Sequence, residues 1–174
     1  MKIFKKKNKG ILFRISGLPG SGKTRVAKKL LPKIRKKYGP TIMWSGDDIR
    51  RIFKNRDYHP DKRYKFGVQN VKLIKYFINQ RINVIFATVG LDKKIRGFTK
   101  KNISNYFEIF IRTDFNKIKK MGLRKFNTNK SIYVWGRDIK PQFPKNPDIE
   151  IKNDFKISIN QISSNIFEQI NNKL

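Results

Sequence analysis

The segment that most constrains this chain is Gly17-Leu18-Pro19-Gly20-Ser21-Gly22-Lys23-Thr24, which fits the pattern G-x-x-x-x-G-K-[ST]. Ahead of it, Ile11-Leu12-Phe13-Arg14-Ile15-Ser16 reads as a mostly buried strand. Behind it, Thr24 to about Lys37 carries Val26, Leu30, Leu31 and Ile34 at helical spacing. A glycine-rich turn between a buried strand and a helix start can point successive backbone N–H groups at one anion. The helix N-terminus adds partial positive charge at the same point. The loop Gly17–Thr24 is therefore expected to cradle the phosphates of ATP. Lys23 is expected to reach the β- and γ-phosphates, and the Thr24 hydroxyl to hold Mg²⁺.

The rest of the chain alternates strands and helices. Thr41-Ile42-Met43-Trp44 reads as a second strand, and Ser45-Gly46-Asp47-Asp48 as the turn that starts a helix through Ile49 and Ile52. After Tyr58-His59-Pro60, residues Asp61 to Asn79 form a long amphipathic pattern. Strands are expected at Asn83–Thr88, Tyr106–Ile111 and Ile132–Trp135, with a short helix from Asp114 to about Lys120 and a closing helix that includes Ile157 and Ile170. This order implies right-handed crossovers and a mainly parallel five-stranded sheet covered by helices, an α/β fold in one domain spanning residues 1–174.

Composition narrows the chemistry. The chain has no cysteine and one histidine, His59, which excludes disulfides, thiolate sites and multi-histidine metal sites. No apolar run has the length of a membrane span, and a soluble, cytoplasmic protein is expected. The formal charge of +30, from 42 basic and 12 acidic residues, draws anions of every kind. The basic residues lie in every segment rather than in one stripe, as compositional drift also produces.

Few acidic residues can serve the loop. The third strand ends in Ala87-Thr88 without a carboxylate, and Glu108 sits in the middle of the fourth. Asp47 and Asp48 follow the second strand, at the end that faces the ligand crevice in an open parallel sheet. Asp48 suits the helix start, and Asp47 is expected to face the crevice. There it can take the proton of an attacking hydroxyl or bind the metal through water.

These residues together resemble the adenylylsulfate kinase family. The resemblance runs from about Ile11 to Asn153 and rests on the loop, then Ser45-Gly46-Asp47-Asp48-Ile49-Arg50, Arg63, Gly136-Arg137-Asp138 and Pro144-Lys145-Asn146-Pro147-Asp148. It implies a P-loop NTPase fold of the nucleotide-kinase type. It also implies phosphorylation of a ribose 3′-hydroxyl of a nucleotide-linked anionic acceptor, using ATP and Mg²⁺. Within it, Asp47 matches the second acid of the family's Asp-Gly-Asp, and Arg50 and Arg63 match arginines that hold the acceptor's anionic part. Asp138 matches the acid of a turn before the proline loop. Three departures fall on the acceptor and lid side. Ser45 replaces the first Asp, Phe66 replaces an Asn three residues after the substrate arginine, and the lid is shortened to a segment like Lys120–Phe126. The resemblance thus implies adenylylsulfate as the acceptor, or an analogue such as a cytidine diphosphoramidate.

A basic lid is expected at about residues 117–131, with Lys117, Lys119, Lys120, Arg124, Lys125 and Lys130. Arg124 is its candidate for the transferred phosphoryl, because a guanidinium fork matches phosphate oxygens. Near the acceptor arginines, Tyr58 is a candidate for stacking on the acceptor, while Phe53 and Phe66 are expected in the core. A homodimer is compatible with this reading. Two alternatives remain: a polynucleotide 5′-hydroxyl kinase, for which the charge speaks and the lack of an aromatic platform speaks against, and a non-catalytic nucleotide-binding regulator. The intact Lys23, Thr24 and Asp47 weigh against the regulator.

Overall fold

The computed structural model describes residues 9–122 and 133–174. Five strands form one sheet: β1 (Leu12–Gly17), β2 (Thr41–Ser45), β3 (Asn83–Ala87), β4 (Tyr106–Arg112) and β5 (Ile149–Lys152), in the order β2-β3-β1-β4-β5. Every pairing is parallel. Such a sheet is buried on both faces, which is why β1, β3 and most of β4 are runs of Ile, Leu, Val and Phe.

Helix α1 (Lys23–Tyr38) and α6 (Ile159–Lys173) cover one face. There Val26, Leu30, Ile34, Ile162, Ile166 and Ile170 pack onto Phe13, Ile15 and Phe107 of the sheet. Each such side chain, taken fully from water, contributes about 2 kcal/mol. On the other face α3 (Pro60–Asn79) lays Phe66, Val71, Ile74 and Ile78 against Leu12, Val84 and Phe86. Helix α4 (Lys93–Asn102) packs beside α3, and Ile95 comes within reach of Gly67 of α3. Short helices α2 (Gly46–Ile52) and α5 (Phe115–Lys120) follow β2 and β4. Loops at the carboxyl ends of β1, β2 and β3 therefore meet above the sheet.

Three expectations are corrected. The fifth strand is Ile149–Lys152, not Ile132–Trp135. Residue 132 lies outside the described residues, and Tyr133 to Ile139 form a closed turn in which Val134 O accepts N–H groups of Arg137, Asp138 and Ile139. Tyr133 has φ 60 and cannot continue a strand. Phe53 is not core: it is 58% exposed at the end of α2, whereas Phe66 is buried. Ile157 is exposed and precedes α6, which begins at the Ser158 capping box. Helix α4 was not expected at all. Among the described residues, no helix is long and apolar enough to cross a membrane.

Candidate active site

The glycine loop joins β1 to α1 over the end of the sheet. Gly20 has φ 85, and a Cβ on it would meet Ile118 Cγ2 at 2.6 Å. Gly22 has φ 88, in the left-handed region, and caps α1 without a side chain. The loop's backbone is further tied by Ser21 N–H donating to Leu18 O at 3.1 Å and by buried Asn153 Nδ2 donating to Ser21 O at 3.0 Å. Pro19 is buried and Leu18 packs with Leu91, Phe110 and Ile118. Lys23 folds its ammonium into the concavity, donating to Leu18 O at 2.6 Å and to Ser21 Oγ at 3.3 Å. A cradle of this shape, with a cation inside and a helix N-terminus behind, fits a triphosphate tail.

Thr24 and Asp47 both line the cleft beside this loop. Among the described residues no group of three or more Asp, Glu, His or Cys could hold a metal ion by itself. That suits Mg²⁺, which keeps several waters and shares its shell between one or two protein oxygens and phosphates. The two acids after β2 divide as expected. Asp48 forms a capping box with Ser45: Asp48 N–H donates to Ser45 Oγ at 3.1 Å, and Ser45 Oγ–H donates to Asp48 Oδ2 at 2.8 Å. Asp47 lines the cleft. Ser45 is therefore fully used as a helix cap and brings no second carboxylate to the site.

Two arginines line the same cleft. Arg50 Nη1 donates to Asn55 Oδ1 and to Asp57 O, both at 2.9 Å, and its guanidinium lies 4.3 Å from the Tyr58 ring centroid. Arg63 Nε donates to Tyr58 O at 2.7 Å and Nη2 to Tyr133 O at 2.5 Å, with its guanidinium 5.1 Å from the same ring. Burial first, and the neighbouring Arg50 charge second, push the Arg63 guanidinium down to about 10, against a smaller opposing effect of Tyr58. A cation held next to a like charge in a concave site is a receptor for an anion. Tyr58 lies against both guanidiniums, and it is 42% exposed and lines the cleft.

The cleft that joins these parts has a volume of about 1410 Å³. It contains the loop's Gly20, Gly22, Lys23 and Thr24, then Asp47, Arg50, Tyr58 and Arg63. Gly17, Leu18 and Ser21 lie behind the loop surface and hold it in shape. Of the expected lid, Lys117, Lys119 and Lys120 lie on α5, while Arg124, Lys125 and Lys130 fall outside the described residues. The turn carrying Asp138 adjoins the cleft through Val134, Trp135 and Ile139. Its carboxylate accepts the Val134 N–H at 2.8 Å and pairs with Arg137 at 2.7 Å. The Arg137 bond, then the Val134 N–H, hold that carboxyl down at about 2.

Sequence reasoning missed several cleft residues. Arg14 and Asn70 both line it and are 2% and 6% exposed. The signal was present: Arg14 interrupts the apolar run of β1, and Asn70 falls among Phe66, Val71 and Ile74 on the buried stripe of α3.

A phosphate cradle on a parallel sheet, with a carboxylate and paired arginines in the same cleft, defines a P-loop phosphotransferase. The chain matches the family described as adenylylsulphate kinase over residues 9–152. It belongs to that family, whose members are ATP- and Mg²⁺-dependent phosphotransferases. The cytidine diphosphoramidate kinase of Campylobacter jejuni is 30% identical over 159 residues, 89% of this chain and 93% of that one. The adenylyl-sulfate kinase of Pseudomonas aeruginosa is 24% identical over 153 residues, 84% of this chain and 78% of that one. Among solved structures, the APS kinase of Mycobacterium tuberculosis in complex with AMPPNP and APS superposes with a TM-score of 0.83 at 19% identity, covering 94% of this chain and 98% of that one.

Proposed function

We propose that this chain transfers the γ-phosphoryl group of ATP to a ribose hydroxyl of a nucleotide whose 5′ end carries a diphosphoramidate, cytidine diphosphoramidate being the reference acceptor. The observation that carries the reading is the Arg50–Arg63 pair lining the same cleft as Asp47 and Lys23. Two guanidiniums in one cleft with the phosphate cradle support an acceptor that carries an anionic group. The similarity to the Campylobacter jejuni enzyme supports the diphosphoramidate, as do Ser45 and Phe66, which stand where adenylylsulfate kinases carry polar groups.

The residues divide the work in the following way. ATP with Mg²⁺ supplies the phosphoryl group. The backbone of Gly17-Leu18-Pro19-Gly20-Ser21-Gly22 binds the phosphate chain, and Lys23, released from Leu18 O, neutralises charge on the β- and γ-oxygens. Thr24 holds the metal, and Asp47 either holds it through water or takes the proton of the attacking hydroxyl. Arg50 and Arg63, lying against Tyr58, fix the acceptor so that its hydroxyl lies in line. Positioning and charge neutralisation account for the rate, since phosphoryl transfer asks little covalent chemistry of the protein. Arg124 is the lid group that would complete the neutralisation. A single domain, a homodimeric assembly and a cytosolic setting where ATP is held accord with this reading.

The test is ADP release measured against a panel: cytidine diphosphoramidate, CDP, adenylyl sulfate and an oligonucleotide with a free 5′-hydroxyl. Turnover with a nucleotide-linked acceptor, and a fall in kcat of about 10²–10⁴ in Asp47→Asn with AMPPNP affinity kept, is expected. Transfer only to the oligonucleotide, or AMPPNP binding without turnover of any acceptor, refutes the proposal.

A further inference from the structure

Behind the arginine pair the cleft continues inward, between the sheet and helices α3 and α4, into a lobe bounded by Leu12, Phe66 and Phe86. Arg14, Asn70 and Thr99 are among the polar residues that line the cleft. None of these has been given a task by the phosphate cradle or by the acceptor arginines.

The lobe is positively charged. Arg14, Arg96 and Lys100 surround one carboxylate, Glu108, at 3.8, 3.9 and 3.2 Å. One anion against three cations leaves the cluster with a net positive charge, and Arg14 is the cation that reaches the cavity wall. A neutral heterocycle gains little from such a field, whereas the terminal anionic group of an acceptor gains much.

The lobe also offers hydrogen-bond acceptors. Asn70 is 6% exposed, and its carboxamide makes no hydrogen bond among the described residues. It lines the cleft, where a ligand can pair with it in place of water. Thr99 donates its hydroxyl hydrogen to Ile95 O at 2.7 Å, so toward the cavity its Oγ can only accept. The third candidate, Gly90 O, is already taken by Arg14 Nη2 at 3.1 Å and Arg96 Nη1 at 3.3 Å.

We propose that this inner lobe is the subsite for the acceptor's terminal group, with Arg14 matching its negative charge and Asn70 Oδ1 and Thr99 Oγ accepting the N–H bonds of a terminal P–N amine. The inference rests on the function proposed above and deepens it: it names the residues that select an amine-terminated acceptor. A sulfate end presents oxygens alone, which can only accept; it would leave Thr99 Oγ unmatched and would have to turn Asn70 to present its Nδ2 instead of its Oδ1. Sites built around a substrate N–H discriminate strongly against an analogue without it.

The experiment compares kcat/KM for cytidine diphosphoramidate with that for CDP, which shares base, ribose and phosphate chain but ends in oxygen. Asn70→Leu, of similar volume, and Thr99→Val, nearly isosteric, are measured beside the unmodified chain. Their folding is checked by urea midpoint and by KM for ATP. The unmodified chain should prefer the phosphoramidate, and Asn70→Leu should cut that preference at least about tenfold through KM, with KM for ATP unchanged within about twofold. Thr99→Val should move it the same way and serves as the readout should Asn70→Leu not fold. Turnover of both acceptors with the same ratio in all three proteins overturns the subsite while leaving the kinase reading intact. Preference for CDP or adenylyl sulfate in the unmodified chain also overturns it. No turnover of any nucleotide-linked acceptor by folded, AMPPNP-binding protein refutes the underlying function.

Discussion

Replacing Glu108 by Gln should destabilise the fold by about 3–5 kcal/mol, the usual cost of removing one partner from a buried ion pair. Glu108 is 1% exposed in the middle of β4, and its register partner on β1 is Arg14. The Arg14 and Arg96 side chains are 3% and 10% exposed, at 3.8 and 3.9 Å from the carboxylate. At an effective dielectric constant near 20, each such pair is worth about 4 kcal/mol in Coulomb terms, or about 8 kcal/mol for both. Desolvating the carboxylate takes back several kcal/mol, which leaves a loss within the stated range. Lys100, at 3.2 Å but 53% exposed, adds less than about 1 kcal/mol because solvent screens it. Gln keeps the shape while removing the charge and turning one acceptor oxygen into a donor among three cations, so packing is not at issue. With a urea slope of about 2 kcal/mol/M, the midpoint should fall by about 2 M. A paired change, Glu108→Leu with Arg14→Met, should recover much of the loss by removing an unmatched cation along with the anion. A midpoint shift below about 0.5 M in Glu108→Gln, or no recovery in the double variant, would show that the buried charges are solvated by other means.

The remaining predictions concern the cleft. Arg63→Lys should raise the acceptor's KM about tenfold with little change in KM for ATP, since an ammonium cannot span Tyr58 O and Tyr133 O as the guanidinium does. Because Arg63 is pushed down to about 10, acceptor affinity in the unmodified chain should be flat near neutrality and weaken as the pH passes about 10, where the cation is lost; steady-state KM against pH reads this out. Asp138 is held down at about 2, so its contribution to the Val134–Ile139 turn is present above the ordinary carboxylate range and lost as the pH falls toward 2. Trp135 fluorescence in a Trp44→Phe background should shift over that acid interval and not between pH 5 and 8.

Much of this was legible in the sequence because the controlling physics is local. The glycine loop needs positive φ at fixed positions and a helix directly behind it, and only a short string of residues can meet those needs. Capping is equally local, which is why Asp47 and Asp48 could be separated into cleft and cap. The fifth strand was not legible, because four residues of Ile149-Glu150-Ile151-Lys152 carry less pattern than Ile132–Trp135. What decides between them is the Asp138 carboxylate, which takes the Val134 N–H and closes that backbone on itself. Helix α4 was hidden by its charge: its turns hold six Lys, Arg or Thr residues and few apolar ones, and its buried positions are Arg96 and Thr99. A helix that buries a guanidinium against a carboxylate two strands away has no hydrophobic periodicity to reveal it.

That same buried arginine would hold the proposed acceptor site and the phosphate loop in a fixed relation. The short connection after β3 runs between them, and two successive carbonyls in it are tied in opposite directions. Val89 O accepts the N–H of Gly17, the first residue of the phosphate loop, at 3.3 Å. Gly90 O accepts from Arg14 and Arg96, whose charges are anchored on Glu108. Neither tie depends on the apolar core, and both are too polar to slide, since any shift strands a buried donor. In-line transfer tolerates errors of only fractions of an ångström between hydroxyl and phosphoryl. A buried ion cluster is a costly way to gain stability, but it is an effective way to fix register. In this chain it fixes the connection on which the acceptor's inner lobe and the phosphate loop both lean.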